Sequence, residues 1–136
     1  MDDRKPSLMV DGVVVEDDKI LLIRRGNQPF KGMWALPGGF VEYGERVEDA
    51  VVREVYEETS IKVKVRELLG VYSDPGRDPR GHSVSIVFLC ERLSGEPAGG
   101  DDAAECRMFD VEKLPELAFD HWKIVSDALS CIFHDR

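Results

Sequence analysis

A chain of 136 residues, 43% hydrophobic and 33% charged, fits a single globular domain over residues 1–136 with a sizeable core. Its formal net charge of −9 argues against a nucleic-acid surface, which needs a basic face. The same charge means that an anionic substrate would need cations beside it to offset repulsion. No apolar run is long enough for a signal peptide or a membrane span, so the expected compartment is the cytoplasm. Cys90, Cys106 and Cys131 are far apart and lack Cys-x-x-Cys spacing. They read as buried free thiols rather than as zinc ligands or disulfides.

Residues 8–15 are rich in β-branched side chains, and 16–19 read as a turn into a second strand over 20–25, giving a hairpin. Residues 26–31 hold Asn, Pro and Gly and predict a loop. The stretch 34–39 is extended, with Pro37 restricting Leu36 and delivering Gly38 and Gly39. A helix is predicted over about 45–59, a strand region over 61–72 and a loop dense in Pro, Gly, Asp and Arg over 73–82. A further strand over 83–92 alternates Val84, Ile86 and Phe88 against serines. A polar Gly-rich loop over 94–104 leads to a last strand over 106–111. A C-terminal helix over about 119–133 places Trp122, Val125, Leu129 and Ile132 at helical spacing. Strands interleaved with two helices predict an α/β fold, a mixed sheet between helical layers.

The helix over 45–59 carries the chemistry. At roughly 100° per residue, Val47, Ala50, Val51 and Val55 share one face. Glu54 and Glu58 project into that same sector and Glu57 lies at its edge. Carboxylates so close, and partly buried, repel one another unless a cation compensates them. Oxygen ligands of this kind suit Mg²⁺, which keeps waters and bridges to substrate phosphates. The plainer reading is a solvated acidic helix end.

Gly39, Glu45, Arg53, Glu54, Val55, Glu57, Glu58 and Ile61 match, at the right spacing, the Nudix box: Gly, five residues, Glu, seven residues, Arg-Glu, an aliphatic, any residue, Glu-Glu, any residue, Gly and an aliphatic. The chain thus resembles the Nudix hydrolase family. The one departure is Ser60, where the family has Gly, a residue suited to a left-handed helix cap. The Leu36-Pro37-Gly38-Gly39 entry and the stretch 112–117 are similar to the family as well. The resemblance implies an α/β/α sandwich with the box as loop–helix–loop, and in many relatives a homodimer. It implies Mg²⁺, or Mn²⁺ in its place, held by the Gly38 carbonyl, Glu54, Glu57 and Glu58, with Arg53 and Glu45 holding those carboxylates in place. It also implies a late-chain acid reaching the metal, for which Glu105 is the best match and Asp101 and Asp102 follow. Glu54 and Glu105 are the candidate general bases.

The loop Tyr72-Ser-Asp-Pro-Gly-Arg-Asp-Pro-Arg-Gly-His82 is similar to the ADP-ribose pyrophosphatase subgroup, with Pro75 fifteen residues past Ser60. Arg77 and Arg80 are forks suited to phosphate or ribose-linked anions. Alternatively these arginines and Asp78 neutralise one another in a rigid turn. Phe30 and Trp34 are candidates to stack on a base, Trp34 being equally suited to the core. The implied reaction is hydrolysis of the pyrophosphate link of a nucleoside diphosphate derivative, ADP-ribose giving AMP and ribose 5-phosphate. The competing readings are a triphosphate pyrophosphohydrolase of the oxidised-dGTP type and a nucleotide-sugar-sensing module that binds without hydrolysis.

Overall fold

The computed structural model describes residues 4–100 and 103–133. Strands β1 (Ser7–Glu16) and β2 (Lys19–Arg25) form the expected hairpin. Asp17 and Asp18 both adopt left-handed backbone (φ 52° and 62°), the geometry of the two-residue turn whose twist matches that of paired strands. The two strands pair only near this turn, at Val15 with Ile20 and Glu16 with Lys19. They then part. Strand β1 runs antiparallel to β4 (Gly38–Phe40) and parallel to β6 (Ser83–Ser94), while β2 pairs with β3 (Trp34–Ala35) and β7 (Ala103–Asp110). Strand β5 (Lys62–Tyr72) closes the far edge against β6. One parallel pair among antiparallel ones makes the sheet mixed, as expected.

Alternation along β1 divides the core into two layers. Val10 and Val14 pack with Ala50, Val51 and Val55 of α1 (Val47–Thr59). Val13 faces the other way, into a cluster with Ile124, Val125 and Ala128 of α2 (His121–Phe133). Gly12 falls on the α1 face, where a Cβ would stand 2.8 Å from Cγ2 of Val55. The helix sits that close because the strand has no side chain there.

Some boundaries differ from expectation. Helix α1 starts at Val47, after a turn in which the Glu45 N–H bonds to the Glu42 carbonyl. Strand β7 starts at Ala103, inside the expected loop. Helix α2 starts at His121 because Phe119 is left-handed (φ 55°) and the first helical carbonyl is that of Asp120, bonded to the Ile124 N–H. Its buried face is His121, Ile124, Val125 and Ala128, so Trp122 points outward and is 64% exposed, against the predicted apolar stripe. Of the three thiols, all unbridged, only Cys90 is buried; Cys106 is partly buried and Cys131 exposed.

Candidate active site

Strand β4 meets helix α1 at Gly38, Gly39 and Phe40, and packs on β1 through Gly38. A Cβ on Gly38 would overlap the Val10 carbonyl oxygen and the Asp11 carboxylate. A Cβ on Gly39 would stand 2.5 Å from the carboxyl carbon of Glu54. The Gly38 N–H donates to Glu58 at 2.7 Å, and Glu58 is only 7% exposed. Gly39 therefore admits Glu54 against bare backbone, while Gly38 makes room for Asp11 and bonds Glu58 through its N–H.

Arg53 bonds to several of these carboxylates. Its Nε and Nη2 fork onto Glu45 at 2.8 and 3.0 Å. Its Nη1 donates to Glu54 at 2.8 Å and to Glu57 at 3.2 Å, and Nη2 also reaches the Phe40 carbonyl at 3.0 Å. One guanidinium thus ties the loop before α1, the end of β4 and two carboxylates of α1. The hydrogen bonds from Arg53 hold the Glu45 carboxyl down at about pKa 2. Glu45 raises the Arg53 pKa in return. Ser60 caps α1 in left-handed geometry (φ 64°, ψ 14°), with its N–H on the Tyr56 carbonyl.

Among the described residues no three acidic, His or Cys side chains already stand in a metal-binding cluster. The donor set still fits a hard cation. Glu54 lies against Gly39, Glu58 accepts the Gly38 N–H, and Arg53 spans Glu54 and Glu57, so carboxylate oxygens suited to a hard cation gather where β4 meets α1.

The remaining expected residues are distributed as follows. Glu105, on β7 opposite Arg24, pairs with that arginine at 3.1 Å and with Arg107 at 3.8 Å. Asp101 and Asp102 lie outside the described residues. Arg77 is committed: its fork engages Asp120 at 2.9 and 2.8 Å, Nη1 reaches Ser83 at 2.7 Å, and its side chain is 4% exposed. Arg80 is gripped from behind by Asp78, at 3.0 and 2.9 Å, but stays 40% exposed. The neutralising turn weighed from sequence is thus present for Asp78 and Arg80, whereas Arg77 neutralises a residue at the start of α2. Trp34 packs edge-on against Phe109 beneath Arg107, within the α2-side core. Phe30 meets Phe119 edge-on at 4.8 Å.

Three site residues escaped the sequence reading. Phe119 carries both the Arg25 and the Arg80 guanidinium over its ring, at 4.9 and 5.4 Å. Phe119 and its partner Phe30 (φ 60°) are bulky residues in left-handed backbone, a strain that clusters at ligand sites. Asp11 and His121 are buried polar side chains, 5% exposed each. With Gly38, Glu58, Arg80 and Phe119 they line a cavity of about 40 Å³ that joins the carboxylate end of the cleft to the loop over 73–82. A charged residue interrupting the apolar run of β1 was the available signal for Asp11. His121 gave none, since helix spacing alone favoured Trp122.

A mixed sheet between two helices, with paired glycines facing an Arg-Glu-x-x-Glu-Glu helix, defines the class. The model of the NUDIX domain matches residues 6–128, and the chain belongs to the Nudix family. A Methanocaldococcus jannaschii protein named ADP-ribose pyrophosphatase is 61% identical over 122 residues, 90% of this chain and 72% of that protein. An ADPR-responsive transcriptional repressor, NtrR, of Acinetobacter baylyi is 30% identical over 134 residues, and the chain spans 54% of its length. In structure, the NUDIX domain of Shewanella oneidensis NrtR, solved with ADP ribose, superposes with a TM-score of 0.84 at 28% identity, covering 95% of this chain and 90% of that one. No described helix is long and apolar enough to cross a membrane.

Proposed function

We propose that this chain is a divalent-metal-dependent ADP-ribose pyrophosphatase, releasing AMP and ribose 5-phosphate. The observation that carries the reading is the pair of glycines against Glu54 and Glu58, with Arg53 bonded to Glu54 and Glu57. The 61% identity to a protein named for this activity supports the choice of substrate. The Gly38 carbonyl, Glu54, Glu57 and Glu58 would hold Mg²⁺ or Mn²⁺. When bound, such an ion neutralises the diphosphate and makes water a better nucleophile. Arg53, fixed by Glu45, keeps the carboxylates from rotating away. Of the two candidate bases we favour Glu54, which lies against Gly39, over Glu105, which stands on β7 opposite Arg24. Arg80, pre-aimed by Asp78 and backed by Phe119, is the substrate grip of the loop, and Arg77 is its anchor. The cytoplasm, where such nucleotides occur, is the compartment we assign.

The test is phosphate-ester release from a panel of nucleoside diphosphate derivatives and triphosphates with Mg²⁺. ADP-ribose should give the highest kcat/KM. A higher value for oxidised dGTP would overturn the substrate assignment. The similarity to an ADPR-responsive repressor and to a NUDIX domain solved with ADP ribose favours one second reading, a module that binds ADP-ribose and does not cleave it. Tight binding with no AMP formed would establish that instead.

A further inference from the structure

Consecutive residues leading into the paired glycines are each tied to a different part of the fold. The Leu36 N–H donates to Nδ1 of His121 at 3.0 Å, across 85 residues of chain. The Pro37 carbonyl accepts the Gly12 N–H at 2.9 Å, and the Gly38 N–H donates to Glu58. Glu58 belongs to the carboxylate set and Gly12 to the sheet. His121 alone is a side chain from outside both.

Its chemistry is fixed by that bond. An Nδ1 that accepts a hydrogen bond carries no proton, so the ring hydrogen sits on Nε2. Nε2 faces Oδ1 of Asp11 at 3.8 Å, and the other oxygen of Asp11 takes the Ser85 hydroxyl. The Asp11 carboxylate in turn occupies the space a Gly38 side chain would need. His121 is itself located by its neighbour, because Asp120 is locked to the buried Arg77. Leu36 is 2% exposed, so its N–H has no water to fall back on. If the imidazole were removed, a buried donor would be left without an acceptor, and the peptide would turn to find one. The Gly38 carbonyl, two residues on, would turn with it.

We propose that His121 is a positioning residue for the metal site, fixing through the Leu36 N–H the orientation of the segment that presents the Gly38 carbonyl. This rests on the assignment of Gly38 to the metal shell. Partners that orient ligands without touching the metal typically contribute tenfold to a hundredfold in affinity.

The experiment titrates the full chain with Mn²⁺ and reads free Mn²⁺ by electron paramagnetic resonance, with melting curves confirming that each variant is folded. Glu57→Gln reports on the metal site itself and should lose most binding. His121→Phe keeps a ring without an acceptor and should weaken Mn²⁺ by about tenfold. His121→Asn places an amide oxygen near the former Nδ1 and should restore most of that loss. A folded His121→Phe protein binding Mn²⁺ like wild type overturns the proposal, as does an Asn variant as weak as the Phe variant. Wild type that fails to bind, or binds no better than Glu57→Gln, brings down the metal-site reading and this inference with it. A measurement on wild type alone needs no variant to fold. In ¹⁵N spectra, Mg²⁺ should shift the Leu36 amide and the His121 Nδ1 together with Gly38 and Gly39. Movement of the glycines with Leu36 and His121 unmoved also overturns the proposal.

Discussion

The two sides of Gly38 handle charge in opposite ways. Toward α1, several carboxylates share one arginine, and most of these groups keep some contact with water: the side chains of Arg53, Glu54 and Glu57 are 24%, 16% and 39% exposed. Toward α2, Asp11, His121 and Arg77 are nearly sealed from solvent, and each has a dedicated partner. Half-solvated groups can exchange one cation for another at small cost, because water screens each step. Sealed groups cannot, since a lost partner leaves a buried polar atom bare. The first side is suited to acquiring and releasing a metal and a charged substrate. The second is suited to holding backbone still.

This contrast breaks most clearly at Arg77. Arg77→Ala leaves Asp120 partly buried without its fork and should cost about 3–5 kcal/mol of stability, read from urea unfolding. A loss no larger than that of an exposed pair would show that the α2 side is not sealed in solution. On the α1 side the effect should fall on rate. Glu57→Gln or Glu58→Gln should lower turnover about a hundredfold or more while the melting temperature holds, because removing a like charge relieves repulsion. Full turnover in the double variant would sink the carboxylate assignment.

Arg80 belongs to the solvated class although its loop is anchored on the sealed side. Arg80→Ala should raise KM for ADP-ribose about tenfold with little change in kcat, as expected when ground state and transition state lose the same charge-assisted bond. If the ratio of kcat/KM for ADP-ribose and oxidised dGTP does not move, the loop plays no part in substrate choice.

Acid acts in opposite directions on the two buried groups Asp11 and His121. Burial holds His121 at a pKa of about 4, below its ordinary 6.5, so the unfolded chain takes up that proton first as pH falls. His121 therefore lowers folding stability between pH 6.5 and 4. Asp11 is pushed by burial up to about 7 from 3.8, against the opposing Ser85 hydrogen bond, so the folded chain takes up that proton first. Asp11 therefore raises stability as pH falls from 7 to 3.8. The two offset in the wild type. Asp11→Asn should make the protein lose stability on acidification across this range, and His121→Asn should make it gain. Equal slopes in the two variants would show that neither group titrates as buried. The smallest expected effect is at Ser60, whose left-handed geometry favours glycine. Ser60→Gly should add up to about 1 kcal/mol, and a lower melting temperature would contradict that geometry.

What could be read beforehand follows the same division. The α1 side is written in one short segment, Gly38 to Ile61, where fixed spacing on a helix brings Arg53, Glu54, Glu57 and Glu58 together. Ser60 could be read for the same reason, since a helix must end somewhere close by. The α2 side joins Asp11, Leu36, Arg77, Asp120 and His121, residues that meet only once β1, the loop over 73–82 and α2 have docked. No spacing rule connects them. Arg77 illustrates the cost: its residue type suggested a free phosphate fork, and only the docked position of Asp120 shows it already taken. Periodicity carries the predicted helix back to Phe119 because it does not register a left-handed residue.

Gly12 sets how closely helix and strand can approach. It acts as a clearance gauge, for the distance between β1 and α1 is whatever Val51 and Val55 need above bare backbone, 3.3 and 2.8 Å from an imagined methyl. Replacing it with alanine, normally a safe way to stiffen a strand, would push α1 outward by a few tenths of an ångström or more. Glu54 rides on that helix above Gly39, so the change would widen the opening at the carboxylates without altering any of them. A library that leaves every acidic residue intact but varies position 12 would be tuning the bite of the site.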